Sequence, residues 1–212
     1  MVPSGTKVQG AADTKIEAPL DVHRLRLLEG FAAAVSEHGY ATTTIAHIVK
    51  YARVSKRTFY EHFADKEECF LALYEEVAEL LRRGVEEALL APARSWEAQL
   101  DAGLDSYLTA LESNPALTRV CLLEIRAAGP RALALRLRGR ARFAEMLRAF
   151  VARSRAEHPY LRPLSSAMAT AVVGGIDELL LENVEPGAKS SLSETRATAA
   201  ELIRSVVRAG RR

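Results

Sequence analysis

The sequence predicts an all-α fold of about nine helices, in which a small N-terminal three-helix unit precedes a larger C-terminal helical domain. Three observations predict it. Apolar residues recur at three- and four-residue intervals from Asp21 nearly to the end of the chain, with no strand alternation between them. Residues suited to begin a helix (Asp21, Ser55, Asp65 and Ser191) stand just ahead of those stripes. Breaks at Pro92, Asn114-Pro115, Gly129-Pro130, Pro159 to Pro163 and Pro186-Gly187 divide the remainder. With 212 residues, 49% of them apolar, the chain can bury a real core.

Residues 1–20 are rich in Gly, Ala, Ser and Pro and lack periodicity, so they read as a disordered arm. The first helix follows Asp21, carries Leu28, Phe31, Ala32 and Val35 on one face, and stops at Gly39. A second, short helix follows Thr43-Thr44, either of which can cap it, with Ile45, Ile48, Val49 and Ala52 as its apolar stripe. The third opens at Ser55 and must be short, because Asp65 with Glu68 already forms a capping-box pattern for the fourth. That fourth helix, near 66–90, carries Phe70, Leu73, Tyr74, Val77 and Leu81 and is long enough to leave one domain and enter another. Helices near 95–113, 116–127, 131–157, 164–184 and 191–208 complete the chain, the last announced by Ser191 and Glu194. The domain division is therefore 21–66 for the N-terminal unit and 67–212 for the rest.

Composition excludes several classes. The 29 Lys+Arg nearly balance 27 Asp+Glu, so the whole chain is no polycation. No apolar run reaches the length of a membrane-spanning helix, and the first residues lack a secretory leader's pattern. Cys69 and Cys121 form no CxxC or Cys/His cluster; no disulfide framework, metal site or cofactor is expected, and the cytoplasm is the default compartment. No nucleophile–base set, HExxH or phosphate-cradling glycine loop appears, so an enzyme is not expected. The acidic pairs Asp101/Asp105 and Glu178/Glu182, lacking histidine partners, read as solvated faces. So does the row of eight arginines between Arg131 and Arg155.

The informative stretch is TTTIAHIVKYARVSKRTFYEHFADKEECF, residues 42–70. Two short helices joined by a tight turn at Arg53-Val54 have the spacing of a helix-turn-helix. On a helical wheel, Phe59, His62 and Phe63 form the underside of the third helix. Lys56, Arg57, Thr58 and Tyr60 fall on or beside its outward arc. Spacing and charge alone leave two readings open: a helix that reads the major groove, or an ordinary solvated surface helix.

Residues 39–70, and most specifically the T-F-Y-x-H-F-x-x-K-E run from Thr58 to Glu67, resemble the DNA-binding segment of the TetR family of bacterial transcriptional regulators. The resemblance covers about residues 22–74. It implies a repressor that binds a palindromic double-stranded DNA operator as a homodimer and is released by a small-molecule effector. Thr43 or Thr44 would cap the second helix and touch a phosphate. Ser55, Lys56, Arg57 and Thr58 would meet bases or backbone, and Tyr60 and Lys66 would meet phosphates. His62 would support the motif or touch phosphate. One position departs from the usual A-G-V-S turn: Arg53 stands where glycine is expected. Either the turn conformation differs, or the arginine carries strain there and serves a phosphate.

The same resemblance places an effector pocket in the C-terminal domain. Its candidate lining is Trp96, Leu104, Tyr107, Leu108, Leu111, Cys121, Leu122, Phe143, Met146, Leu147, Phe150 and Met168, a set that favours a lipophilic effector. Small residues in the eighth helix and apolar residues of the eighth and ninth (Ala171, Gly174, Gly175, Leu179, Leu202, Ile203 and Val206) are the candidate dimer interface. Two competing classes are a helical sequestering protein whose DNA binding has decayed and a helical enzyme.

Overall fold

Side-chain caps set where each N-terminal helix begins. The computed structural model describes residues 21–184 and 191–208. Helix α1 (Val22–His38) is capped by the Asp21 carboxylate and ends at Gly39, whose positive φ of 74° suits a residue without a Cβ. Thr44 caps α2 (Ile45–Ala52), and Ser55 caps α3 (Lys56–His62) by accepting from the Thr58 N–H. Asp65 accepts from the Glu68 N–H at 2.8 Å to start α4 (Lys66–Leu90). The expected reciprocal contact differs by one residue: Glu68 Oε2 accepts from the Ala64 N–H at 2.7 Å rather than from Asp65.

The remaining helices are α5 (Trp96–Ser113), α6 (Pro115–Leu122), α7 (Pro130–Glu157), α8 (Ser166–Val184) and α9 (Leu192–Val207). Ser191 and Glu194 form a complete capping box on α9. The helix expected over 116–127 is shorter than its periodicity suggests. α6 ends at Leu122, and a single 3₁₀ turn covers Glu124–Arg126. The backbone breaks where the Leu122 carbonyl accepts from Arg136 and the Glu124 carboxylate turns to the Tyr40 N–H, 2.9 Å away. The arm at 1–20 and the break at Pro186-Gly187 lie outside the described residues. Among the described residues no helix is long and apolar enough to cross a membrane.

α4 joins the two halves. Its first turns (Cys69, Phe70 and Leu73) pack with Leu27, Phe31, Ile48, Phe59 and Phe63 in the N-terminal core, where Phe31 and Phe70 stack at 5.1 Å. Its last turns (Val85 and Leu89) belong to a second core with Trp96, Leu100, Phe150 and Ile203. The N-terminal core also takes in Val120, Ile125, Ala128 and Ala132. A boundary at 66/67 therefore cuts through one continuous apolar cluster.

Two positions show how tightly α1, α2 and α3 are set. A Cβ on Gly30 would lie 2.6 Å from the Ala52 backbone nitrogen, so only glycine lets α1 and α2 cross this closely. Arg53 adopts φ 53° and ψ 45°, and it is the one non-glycine residue with positive φ among those described. The turn thus keeps the left-handed geometry that glycine supplies elsewhere, and the arginine bears the strain. Left-handed backbone costs a residue with a Cβ roughly 1–2 kcal/mol, and glycine's greater freedom when unfolded returns about 0.5–1 kcal/mol of that. Arg53→Gly is therefore expected to raise unfolding stability by about 0.5–1 kcal/mol, measured by urea denaturation; a loss of stability would contradict this account.

Candidate nucleic-acid interface and effector cavity

The underside of α3 fixes what its outer face can present. Phe59 is fully buried, and Phe63, just past the helix, is nearly so. The two rings lie 5.8 Å apart, and Phe59 meets Tyr60 edge to face. Anchored this way, α3 turns Lys56, Arg57 and Tyr60 to solvent. The Arg57 side chain is 88% exposed, and its tether among the described residues is Glu61 at 3.1 Å, a weak surface pair that a phosphate or base can displace. Ser55 Oγ and Thr58 Oγ1 lie 2.9 Å apart at the start of the helix. Arg53 is exposed beside them. Together these residues form one basic, hydroxyl-bearing surface with donors at the helix N-terminus, suited to phosphate and base edges.

Three of the expected contact residues are committed elsewhere. Thr43 is 2% exposed and directs its hydroxyl to the carbonyls of Gly39 at 2.7 Å and Ala34 at 3.2 Å, so Thr44 alone is the cap. His62 turns inward, with Nδ1 3.4 Å from Asp21 Oδ2. Lys66 Nζ donates to the carbonyls of Tyr40, Ala41 and Thr43 at 2.8, 3.3 and 3.0 Å and lies 4.5 Å from the centre of the Tyr40 ring. An ammonium has three donors. All three serve the α1–α2 loop, which leaves none for a phosphate.

The C-terminal helices enclose a cavity of about 370 Å³, within the usual range for small-molecule sites. Of the expected lining, Leu104, Tyr107, Leu111, Cys121, Leu122, Phe143, Met146 and Leu147 do face it. Trp96, Leu108 and Phe150 are instead buried between helices, and Met168 is 45% exposed on the outer side of α8. An apolar stripe says that a residue is inside, not whether it meets another side chain or a void.

The sequence reading missed the cavity's polar end. Tyr74, Arg140 and Asp177 line it. Arg136, 5% exposed, pairs with Asp177, while Arg140 Nε stands 3.6 Å from the same carboxylate. Burial pushes the Tyr74 hydroxyl and the Cys121 thiol up to about 12 and raises Tyr107 as well, so all three stay neutral donors at physiological pH. An aspartate inside the apolar run of α8, at helical reach of arginines on α7, was the available signal.

The arginines of α7 are structural more than solvated. Arg153 donates to the Leu89 carbonyl, Arg155 to Leu161 and Arg148 to Leu164, and Arg131 pairs with Glu67. Likewise Asp101 and Asp105 pair with Arg204 and Arg196, tying α5 to α9. On the candidate dimer face, Ala171 is exposed and Leu179, Leu202 and Val206 are half-buried. Gly174 and Ile203 point inward instead. A Cβ on Gly174 would meet Arg140 at 2.5 Å, and Ile203 lines the cavity. Gly175 faces Leu202 of the same chain.

The commitment of Lys66 has a measurable consequence. Lys66→Met removes three charge-assisted hydrogen bonds from partly buried carbonyls and is expected to cost about 2–3 kcal/mol in urea denaturation. The salt dependence of DNA binding should hardly change, whereas Lys56→Met should lower the log–log slope by about one. The reverse pattern would return Lys66 to the phosphate contacts.

Comparison with known proteins agrees with this geometry. Residues 27–73 match the model of the bacterial regulatory proteins, tetR family. The HTH-type transcriptional repressor AcnR of Corynebacterium diphtheriae is 37% identical over 59 residues, 28% of this chain and 31% of that protein, so the match spans under a third of the relative's length. Two solved structures share the fold along nearly their whole length. The transcriptional regulator FadR from Bacillus subtilis, in complex with stearoyl-CoA, superposes with a TM-score of 0.75 at 20% identity, covering 86% of this chain and 98% of that one. The fatty acid degradation regulator FadR from Bacillus halodurans gives 0.74 at 18% identity, covering 86% and 98%. Residues 27–73 thus carry a helix-turn-helix of the tetR type with an outward basic helix, joined through α4 to a hollow helical domain whose fold is that of the two FadR regulators.

Proposed function

We propose that the chain is a repressor that binds a palindromic operator as a homodimer and leaves it when a lipophilic effector enters the C-terminal cavity. The observation that carries this reading is α3 itself: a short helix held from below by Phe59 and Phe63, with Lys56, Arg57 and Tyr60 facing out. One such helix touches only a few base pairs, so two of them, one DNA turn (about 34–36 Å) apart, supply the missing affinity. The exposed faces of α8 and α9 around Ala171 and Leu202 are the surface offered for pairing.

The cavity supports the effector class. Its wall is mostly leucine, valine, methionine and aromatic side chains, and one end holds Arg140, Asp177 and the tyrosines Tyr74 and Tyr107. A long apolar chain ending in a carbonyl or acidic group matches both parts. The stearoyl-CoA held by the Bacillus subtilis regulator of the same fold has such a chain, and long-chain acyl thioesters are accordingly the effector class proposed here. The path to the DNA-binding unit is short. Thr118, Cys121 and Leu122 of α6 line the cavity, and two residues later Glu124 holds the Tyr40 N–H of the α1–α2 loop. An effector that displaces α6 therefore acts on the loop and on α4 together, and it shifts the population only as far as its affinity differs between the two arrangements.

Two measurements test this. A duplex selected from a random pool should bind the full chain with a twofold-symmetric footprint, and stearoyl-CoA should weaken that binding by about 5–150-fold. Leu104→Trp, which fills the cavity, should abolish the stearoyl-CoA effect while leaving duplex binding intact. Failure to select any duplex overturns the reading. In analytical ultracentrifugation the wild type should sediment at about twice 23.2 kDa. Ala171→Arg, which puts a charge on the exposed α8 face, should sediment as a folded monomer; an unchanged dimer would move the interface elsewhere.

A further inference from the structure

The start of α1 and the end of α3 bring together a donor set that DNA binding does not use. Asp21, His23 and His62 place a carboxylate oxygen and two imidazole nitrogens within 4.8 Å of one another. The Asp21 carboxylate is divided between two tasks. Oδ1 caps α1 by accepting from the N–H groups of His23 and Arg24 at 3.1 and 3.2 Å, and Oδ2 faces His62 Nδ1 at 3.4 Å. Among the described residues no lysine or arginine forms an ion pair with this carboxylate; its cation-capable partner is His62.

We infer that Asp21, His23 and His62 form a site for one borderline divalent cation, with Zn(II) the ion the geometry fits. Two imidazoles and one carboxylate, without thiolates and without an oxygen cage, select zinc-like ions over Mg(II), Ca(II) or Cu(I). Ligands bound at about 2.0–2.1 Å around a tetrahedral ion stand about 3.4 Å apart, and His62 Nδ1 and Asp21 Oδ2 are already separated by 3.4 Å. His23 is exposed and closes the triangle by a side-chain rotation on the order of 1 Å, and water takes the fourth position. His62 is fixed in a largely buried ring position against Phe63, and it lies in the last turn of α3, where the helix dipole favours a cation. A bound ion links the first residues of α1 to the end of α3 and stiffens the unit that carries Lys56 and Arg57. This site is independent of the proposed operator and effector.

The tag-free full chain, stripped with chelator, is titrated with Co(II) and then Zn(II). One equivalent of Co(II) should give the visible absorption of a low-coordinate ion, and Zn(II) should bleach it. His23→Ala should weaken Zn(II) at least tenfold, as should Asp21→Asn, which keeps the helix cap while removing the charge. His38→Ala is the control for the other imidazole pair, whose ring centroids lie 4.5 Å apart at His38 and His47, and should leave the affinity unchanged. Amide exchange in α3 should slow on adding Zn(II) to the wild type and not to Asp21→Asn. Absence of stoichiometric uptake, loss of affinity in His38→Ala alone, or equal affinity in all variants overturns the assignment.

Discussion

The peptide at Tyr40 is held from both sides, and the position of the DNA-binding unit depends on it. Its N–H goes to the Glu124 carboxylate of the C-terminal domain, and its carbonyl goes to the Lys66 ammonium at the head of α4. Lys66 also gathers the Ala41 and Thr43 carbonyls, while the Tyr40 ring packs 5.3 Å from Phe70. A cation at a helix N-terminus opposes the helix dipole by itself. Here three carbonyl oxygens surround it, so the charge serves as a hub for a loop whose backbone acceptors would otherwise lack partners. The loop enters α2, α2 enters the strained turn at Arg53, and the turn aims α3. The direction of Lys56 and Arg57 is thus inherited from a contact on the far side of the unit.

That arrangement makes the two domains mechanically continuous. α4 contributes Phe70 and Leu73 to the N-terminal core and Val85 and Leu89 to the second core, and Tyr74, Val77 and Leu81 between them line the cavity wall. Ion pairs from Arg131 to Glu67 and from Arg24 to Glu76 fasten its flanks. Exposed pairs of this kind contribute little energy. The apolar cluster shared by Phe31, Phe70, Val120 and Ile125 carries the attachment, because burial of such side chains contributes about 1.5–3 kcal/mol each.

Most of the fold was legible in the residues because the signals were local. Caps at Asp21, Ser55, Asp65 and Ser191, the glycine stop at Gly39 and the breaks at Pro92, Pro115, Pro130 and Pro159 each act within a turn of the chain, and each falls where a helix begins or ends. The errors arose where a distant partner decided the outcome. α6 stops at Leu122 because Arg136 and Tyr40 claim its end, contacts that no periodicity encodes. Lys66 and Thr43 match the polar pattern of phosphate contacts, yet their targets are backbone carbonyls: those of Tyr40, Ala41 and Thr43 for Lys66, 23 to 26 residues away, and those of Ala34 and Gly39 for Thr43, 9 and 4 residues away. The cavity was half legible. Apolar stripes identify inward residues, but only three-dimensional packing separates Leu104, which meets a void, from Leu108, which meets neighbours. The donor set at Asp21, His23 and His62 escaped because His62 lies about 40 residues from the Asp21–His23 pair and the three share no motif.

The length of α4 sets the scale of the proposed switch. Its 25 residues span about 37 Å at 1.5 Å per residue. A pivot of roughly 5° about its C-terminal end moves its N-terminus, and with it α3, by about 3 Å, close to the 3.4 Å rise of one base-pair step. In the proposed homodimer, two protomers pivoting symmetrically would double the change in separation between their α3 helices, enough to take them out of register with successive grooves about 34–36 Å apart. The lever need not be driven far, and a cavity ligand need supply only a modest difference in binding. A coupling of 1–3 kcal/mol between the two arrangements corresponds to a 5- to 150-fold change in operator affinity. The Glu124–Tyr40 hydrogen bond, two residues beyond the cavity-lining Leu122, is of a size to be exchanged within that range.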